Sequence, residues 1–352
     1  MRHSANLDIL RTFAVSSVLI EHLVRTMNSQ AGFSNALIID FTHSIGRAGV
    51  IAFFVHTSLV LMYSLERMAC SAQKLTLRFY LRRFFRIYPL SILCVIIVLI
   101  LHIPGNTWGG AEAATPLVIF SNLLLVQNLI TKVSVIDPLW SLPYEVEMYL
   151  VLPALYYLAL KRRGALYLWF LFAFFCGFGF LVALKSGGHL NMAAYIPCFL
   201  SGVICFSLRD RIRALLPSVL WPLFLLLLFS GYCLANLGGK PRFWIGWIFC
   251  LLLGFGINIF HNSANKLINF VAEKIALYSY GLYLLHIPIL YLVFMIFRIR
   301  NILLGPLLFI ALTLFASFIT YHVFESPFIE IGRKLSSRPP RAPDIPGPVH
   351  IA

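Results

Sequence analysis

The sequence is poor in charged residues, and acidic residues are the scarcer kind. Charged side chains make up 12% of the 352 residues, whereas a soluble domain carries about 25%. A single globule of this composition would have too little polar surface to stay in solution. Aromatic residues reach 15%, which excludes a disordered chain, because such chains are rich in charge and poor in aromatics.

Metal-binding motifs and clear internal repeats are also lacking. The seven cysteines form no Cys-x-x-Cys pair and no Cys/His spacing typical of a metal site. Most of them lie in apolar segments, where packing is the simplest interpretation of their presence. We therefore expect no metal and no permanently bound cofactor.

Long apolar segments dominate the chain instead. Hydrophobic residues make up 60% of it. The chain contains eleven apolar segments, at 8–27, 45–65, 84–103, 116–130, 143–160, 166–184, 193–208, 215–235, 243–260, 275–297 and 303–325. At about 20 residues per span, this length suits many spans joined by short loops. The composition predicts an all-α polytopic protein that passes several times through the lipid bilayer of the cell (inner or plasma) membrane.

The basic residues predict how the chain crosses the membrane. The 28 Lys and Arg against 13 Asp and Glu give a net charge of +15. The positive-inside rule explains this excess without a nucleic-acid partner. The basic regions 66–86, 161–165 and 333–352 are expected in the cytoplasm, together with both termini, and 131–142 outside it.

This topology decides how many segments span. If 116–130 crossed the membrane, every later basic cluster would face outward, so this short segment is predicted to be a re-entrant or interfacial helix on the outer side. About ten transmembrane helices remain. They form a membrane domain over 1–335, and the Pro-rich segment 336–352 is predicted to be a disordered cytoplasmic tail.

Charges inside the first span are candidates for function, because each costs at least about 2.5–3.5 kcal/mol near the bilayer centre. The span contains Asp8, Arg11, Glu21, His22 and Arg25. Arg11 and His22 share a helix face and lie about 16 Å apart along the axis. Asp8–Arg11 and Glu21–Arg25 have ion-pair spacing, whereas His22 has no obvious partner on its own face. The simpler interpretation, interfacial ion pairs and a packing histidine, remains open.

Two further clusters place polar groups in apolar runs. Glu145 and Glu147 enter the fourth span about 200° apart on a helix, so at most one of them faces a given cavity. Trp140 precedes them and is also typical of an interfacial aromatic belt. Tyr283 and His286 are three residues apart and face together in the ninth span.

Other polar residues have plain interpretations. His56 and His102 are interpreted as packing or interfacial histidines, and Glu325 as an exposed residue where Pro327 ends the last span. In the basic segment 74–89, Arg83 and Arg86 place two guanidiniums on one helical face, which suits the phosphates of a nucleotide-like ligand. Positive-inside anchoring is the alternative interpretation of this segment.

Six segments, in order, resemble the acyltransferase-3 family of integral membrane acyltransferases. They are LDILRTFAVSSVLIEH, with an Arg, ten residues and a His; GRAGVIAFFV; LRRFFRIYPL; LWSLPYEVEMYLVLP; YSYGLYLLHIP; and FESPFIEIGRKL. The resemblance runs from about residue 6 to residue 335. One departure is VHTSLVL after Phe54, where the family usually has a Ser-Gly pair.

The resemblance implies transfer of an acyl group, commonly acetyl, from cytoplasmic acyl-CoA to a hydroxyl of a glycan, lipid-linked saccharide or other small acceptor. His22 would be the base or the acyl carrier, two alternatives that stay open. Glu145 would orient it or position the acceptor, and Arg11 would stabilise charge on the donor. The remaining expected roles are donor binding by Arg83 and Arg86, and substrate binding by Trp140, Tyr283 and His286.

Two other classes of function compete with this interpretation. A secondary transporter or flippase for an anionic or saccharide substrate would also contain buried charges in about ten spans. Such proteins more often show internal repeats and broken helices in corresponding halves. A non-catalytic sensor or scaffold is the third possibility, against which the matched His, Glu and Arg positions argue.

Overall fold

The chain is helical throughout the part that the structure describes. The computed structural model describes residues 4–31, 35–68, 72–103, 115–185, 192–238 and 242–337. Across these ranges there is no β-strand, only an isolated bridge between Leu216 and Phe260. The all-α membrane fold predicted from the composition is therefore confirmed. The tail from Arg338 onward lies outside the described residues.

Ten helices of 15 residues or more account for most of these ranges. They are α1 (Ala5–Ala31), α2 (Ala36–Arg67), α3 (Ala72–Ile100), α6 (Leu142–Ala159), α7 (Gly164–Lys185), α8 (Met192–Leu208), α9 (Trp221–Ala235), α10 (Phe243–Ile259), α11 (Lys266–Leu290) and α12 (Leu304–Thr320). Asn side chains cap the starts of α2 and α11 by accepting from first-turn amides, at Asn35 and Asn265.

Six helical stretches in the described ranges are long and apolar enough to cross a membrane. They are Ala36–Arg67, Lys74–Ile100, Gly164–Val182, Ser218–Ala235, Lys266–Ile296 and Leu304–Ser337. Two shorter apolar helices, Met192–Leu208 and Phe243–Ile259, have 17 residues each. The other two long helices, α1 and α6, contain the charged residues singled out in the first and fourth predicted spans. The count of about ten spans stays a prediction.

The segment 116–130 forms two short helices. These are α4 (Pro116–Leu123) and α5 (Gln127–Ile130), of 8 and 4 residues. Eight residues rise about 12 Å, well short of the roughly 30 Å hydrocarbon core. Neither helix can cross a membrane, as the topology argument required. Their place at the outer interface remains a prediction.

Helices α1, α2 and α11 form the centre of the molecule. Helix α2 packs against α1, α8, α9, α10 and α6, while α11 packs against α1, α12 and α3. Helix α2 approaches α1 closely at Gly49, where a Cβ would lie 2.6 Å from the Ala14 carbonyl oxygen. The two helices run in opposite directions, so Glu21 lies beside Gly46 at one end of the pair.

The last long helix does not end where the sequence suggested. Helix α12 continues through a π-helical turn (Tyr321–Glu325) into α13 (Ser326–Ser337). Pro327 is the second residue of α13 and directly follows the π-helical turn, so the helix continues past the proline instead of ending before it. Glu325 is not exposed but 2% accessible, since its carboxylate pairs with a side chain from α3. The simple helix-stop interpretation was wrong.

Candidate active site

A cavity of about 110 Å³ opens between α1, α2, α3, α6 and α11. Its polar lining includes Arg11, His56, Thr57, Arg83, Arg86, Ser141, Glu145, Tyr149, Ser279, Tyr280 and Tyr283. One enclosed water needs roughly 10–15 Å³ on this scale, so the cavity admits several waters or a small polar group. Such a concentration of polar side chains among apolar helices marks it as the first candidate for a site.

Glu145 is held in this cavity by two hydroxyl groups. Thr57 Oγ1 donates to its Oε1 at 3.0 Å, and Tyr149 OH donates to its Oε2 at 3.2 Å. Glu147 points elsewhere, since its Oε1 accepts from Asn128 Nδ2 at 2.7 Å. The expectation that at most one of these two carboxylates faces a given cavity is confirmed.

Three guanidinium groups face the same cavity. Arg11 comes from α1, and Arg83 and Arg86 from α3. Arg86 Nη1 donates to Glu325 Oε2 at 3.1 Å, and its guanidinium lies 5.8 Å from the ring centre of Tyr280. The Nε atoms of Arg11 and Arg83 are buried without a partner among the described residues. The cavity therefore has spare donors and net positive charge, which suits an anionic ligand.

Tyr283 forms the wall between the cavity and a pair of histidines. Its hydroxyl lies 2.8 Å from Ser141 Oγ, and its ring centre lies 5.9 Å from that of Phe53. On its other side the ring of His286 is 6.2 Å away. The expected shared face of Tyr283 and His286 is confirmed.

His22 lies beyond that wall, against His286. The two imidazole centres are 5.0 Å apart, and Nδ1 of His22 and Nε2 of His286 are buried without partners in the described ranges. His286 Nδ1 is 3.2 Å from the Leu282 carbonyl. A carbonyl only accepts, so Nδ1 carries the hydrogen and Nε2 of His286 presents a lone pair. An acceptor for a proton is thus fixed next to His22.

The surroundings of His22 differ from expectation in one respect. Glu21, its neighbour in sequence, brings Oε2 to 3.3 Å from His22 Nε2, and Oε1 to 3.8 Å from Arg25 Nη1. The predicted Glu21–Arg25 pair is present, but the inference that His22 has no partner was wrong. The error arose because helix periodicity separates adjacent residues by 100°, whereas a long Glu side chain can fold back beside its neighbour.

The predicted site residues therefore form two groups, with Trp140 apart from both. Five of them line the cavity, namely Arg11, Arg83, Arg86, Glu145 and Tyr283. His22 and His286 form the adjacent pair, while Trp140 packs against Tyr195, with ring centres 5.8 Å apart. Glu145 has its hydrogen bonds to Thr57 and Tyr149 rather than to His22. Direct orientation of His22 by Glu145 does not fit this arrangement.

Sequence reasoning missed several residues of the cavity region, among them Thr57, His56 and Glu325. His56, interpreted as a packing residue, is 4% exposed and lines the cavity. Its signal was its place beside Thr57, two residues after the Phe53–Phe54 pair of the second-span motif. Glu325 was missed because its partner Arg86 is 239 residues away. No group of three His, Cys, Asp or Glu side chains within the described ranges is placed to hold a metal ion.

Comparison with protein families identifies the family of this chain. A family model described as an acyltransferase domain matches residues 4–322. The chain belongs to the acyltransferase-3 family. The match spans nearly all of the chain and contains both the cavity and the histidine pair. Comparison with curated proteins and comparison with solved structures each gave no match. Family membership and the apolar helices together make the protein a membrane acyltransferase.

Proposed function

We propose that this membrane acyltransferase moves an acetyl group from acyl-CoA to a hydroxyl of a glycan, lipid-linked saccharide or other small acceptor. The enzyme lies in the cell (inner or plasma) membrane with both termini in the cytoplasm, and the donor enters from that side. The observation that carries the proposal is that Tyr283, which lines the arginine-containing cavity, also packs against His286 of the His22–His286 pair.

The arginines are suited to the donor. Arg83 and Arg86 would bind the phosphates of CoA, and Arg11 would stabilise negative charge on the donor near the thioester. Arg86 is already oriented by Glu325 at 3.1 Å, so little side-chain freedom is lost on binding. The basic segment 74–89 that leads into the cavity adds electrostatic attraction for a polyanion.

The histidine pair is suited to the proton transfer. In a direct mechanism, His22 takes the proton of the acceptor hydroxyl as its oxygen attacks the acyl carbon. The thioester C–S bond then breaks, and the histidine returns the proton to the departing CoA sulfur. In a two-step mechanism, Nδ1 of His22 attacks the acyl carbon first, the thioester C–S bond breaks and CoA leaves as its thiolate. The acceptor oxygen then attacks the acyl group on His22, the bond to His22 breaks, and the acceptor proton passes through Nε2 of His286 to the CoA thiolate. Glu145, on the donor side of Tyr283, would position the substrate in either case.

Donor binding by α3 tests the proposal. Transfer from labelled acetyl-CoA is measured in nanodiscs with wild type, with Arg83→Gln plus Arg86→Gln, and with Arg78→Gln as a control on the same helix that does not line the cavity. Loss of two charge-assisted contacts should raise the KM for acetyl-CoA by at least about tenfold. The control should leave it unchanged. An unchanged KM in the double variant would remove CoA phosphate binding from this helix.

The same assay distinguishes an acyltransferase from a transporter. A flippase or transporter would move an anionic or saccharide substrate without consuming acetyl-CoA. Absence of labelled product from wild-type protein, tested with a mixed extract of cell-surface glycans and lipid-linked saccharides, would contradict the proposed transfer.

A further inference from the structure

A second pocket lies between α2, α8, α9 and α10, apart from the donor cavity. Arg47 of α2, Tyr195 of α8, Tyr232 of α9 and Trp247 of α10 line it, with Arg242 at the start of α10. Arg242 is exposed, whereas Tyr195, Tyr232 and Trp247 are at most 7% exposed. The aromatic residues therefore form the floor of the pocket and Arg242 its rim.

Two polar groups of this pocket have no hydrogen-bond partner within the described part of the chain. Nη1 of Arg47 and the hydroxyl of Tyr195 are both buried without a hydrogen-bond partner in the ranges that the structure describes. Tyr195 as a whole is 3% exposed. Leaving buried donors unpaired costs about 1–3 kcal/mol each. A ligand that accepts from both groups would remove that cost.

The start of α10 adds further donors to the same place. No side chain caps this helix, whose N-cap residue is Arg242. Its first amide groups and the positive end of its dipole therefore lie beside Phe243 and Gly246, which also line the pocket. Two arginines, a free tyrosine hydroxyl and a helix N-terminus together favour an anion.

The size of the pocket limits further which chemical groups can bind in it. Its volume of about 20 Å³ holds one or two water-sized atoms, which fits the oxygens of a carboxylate or phosphate rather than a ring. Trp140, an expected substrate-binding residue, packs directly against Tyr195.

The pocket is connected to the histidine site through Arg47. Arg47 follows Gly46, where a Cβ would collide with the carboxylate of Glu21. Its guanidinium is also close enough to act electrostatically on both Glu21 and Tyr195. Glu21 in turn contacts His22 at 3.3 Å. A ligand anchored at Arg47 thus lies near the end of α1 that contains His22, and away from Arg11.

We infer that this pocket anchors the acceptor by an anionic group, a carboxylate or a phosphate, and so selects acidic or phosphorylated saccharides. The inference rests on the proposed acyl transfer, because it assigns the acceptor of that reaction. The anionic group binds Arg47 and Tyr195, and a hydroxyl of the same molecule reaches His22.

Binding of simple sugars to the full-length protein tests this assignment. The probes are glucuronate, glucose 6-phosphate and neutral glucose, added to protein in nanodiscs of pure phosphatidylcholine, with acetyl-CoA binding measured on the same preparations. Glucuronate or glucose 6-phosphate should bind at least about tenfold more tightly than glucose and raise the thermal unfolding midpoint. Arg47→Gln should abolish this preference and Tyr195→Phe should weaken it. Arg300→Gln, a change at an exposed arginine, should retain it.

The outcomes separate this inference from the proposed function. If wild type binds acetyl-CoA but does not prefer the anionic sugars, or if Arg47→Gln keeps the preference, the pocket is not an anion site for the acceptor. If anionic sugars bind through Arg47 but acetyl-CoA does not bind, the pocket stands and the proposed donor is wrong. Nanodiscs containing phosphatidylglycerol distinguish the source. Loss of the wild-type sugar response in those nanodiscs would assign the pocket to a lipid headgroup and overturn the saccharide assignment.

Discussion

The chemistry of the site depends on which nitrogen atoms are free. His286 is locked with its hydrogen on Nδ1 by the Leu282 carbonyl, and its Nε2 is a buried lone pair beside His22. Glu21 is placed to accept a hydrogen bond from Nε2 of His22, so Nδ1 is the free nitrogen of this ring. At the scale of single residues, these two nitrogens are the strongest candidates for handling the acceptor proton.

Removal of the His22 imidazole is the most direct test of that assignment. Participation of a general base is worth about 10²–10⁴ in rate, so His22→Ala should lower turnover by that factor and leave acetyl-CoA binding unchanged. The assay uses equal amounts of folded protein, and His261→Ala, at an exposed histidine, is the control. Turnover within about threefold of wild type, far less than a base contributes, would make His22 a packing residue.

Glu145 should have a smaller effect than His22, because it contacts Thr57 and Tyr149 and not the histidine pair. Glu145→Gln keeps the shape of the side chain and its acceptor for one hydroxyl, but removes the charge beside Arg11 and Arg83. We expect turnover to fall by less than in His22→Ala, in measurements of kcat and KM for acetyl-CoA. A loss equal to that of His22→Ala would place Glu145 in the chemical step itself.

At the scale of elements, one ion pair joins α3 to the end of α12. Arg86 and Glu325 are 3.1 Å apart, with side chains 20% and 1% exposed. Glu325 lies in a π-helical turn, and such turns in α-helices frequently occur at functional sites. The pair fixes one of the three arginines that face the cavity, so the distant helix end contributes to the geometry of that cavity.

Replacement of Glu325 should therefore affect both stability and donor binding. Glu325→Gln leaves the Arg86 guanidinium without its counter-charge, which should lower the free energy of unfolding by about 1–3 kcal/mol. The KM for acetyl-CoA should rise as well. Glu330→Gln is the matched control, since Glu330 pairs with Arg333 at the exposed surface and should change neither quantity measurably. Equal effects of the two variants on the thermal midpoint and on KM would contradict a special role for Glu325.

At the scale of the whole molecule, topology decides which ligand reaches which site. Arg11 and Arg83 lie at one end of the central helices, and Glu21 and His22 at the other. With basic clusters such as 161–165 in the cytoplasm, the arginine cavity would face CoA, and the histidine pair with the second pocket would face an external acceptor.

Accessibility of single cysteines tests this orientation. Ser134→Cys should react with a membrane-impermeant thiol reagent from outside intact cells, and Arg163→Cys only after the membrane is opened. Wild type, with its own cysteines, gives the background labelling. Labelling of position 134 from the cytoplasmic side alone would overturn the predicted orientation and the ten-span count together.

The class of fold and five residues of the arginine-lined cavity could be derived from the amino-acid sequence alone. Low charge and long apolar segments require helices in a bilayer, because lipid cannot satisfy exposed backbone groups. The helical period placed Arg83 with Arg86, and Tyr283 with His286, since both pairs lie within one helix. Family motifs supplied Arg11, His22 and Glu145 as candidates for one site.

Only the tertiary structure decided which of these residues meet. Contacts between helices depend on packing angle and register, which a periodic pattern within one segment does not specify. Hence the separation of Glu145 from His22, the burial of Glu325 against Arg86, and the place of His56 in the cavity could not be derived from spacing. The same holds for Arg47 of α2 and Tyr195 of α8, which line one pocket. Gly202 of α8 lets these two helices approach closely, because a Cβ there would collide with Ser58 and with the Val55 carbonyl of α2.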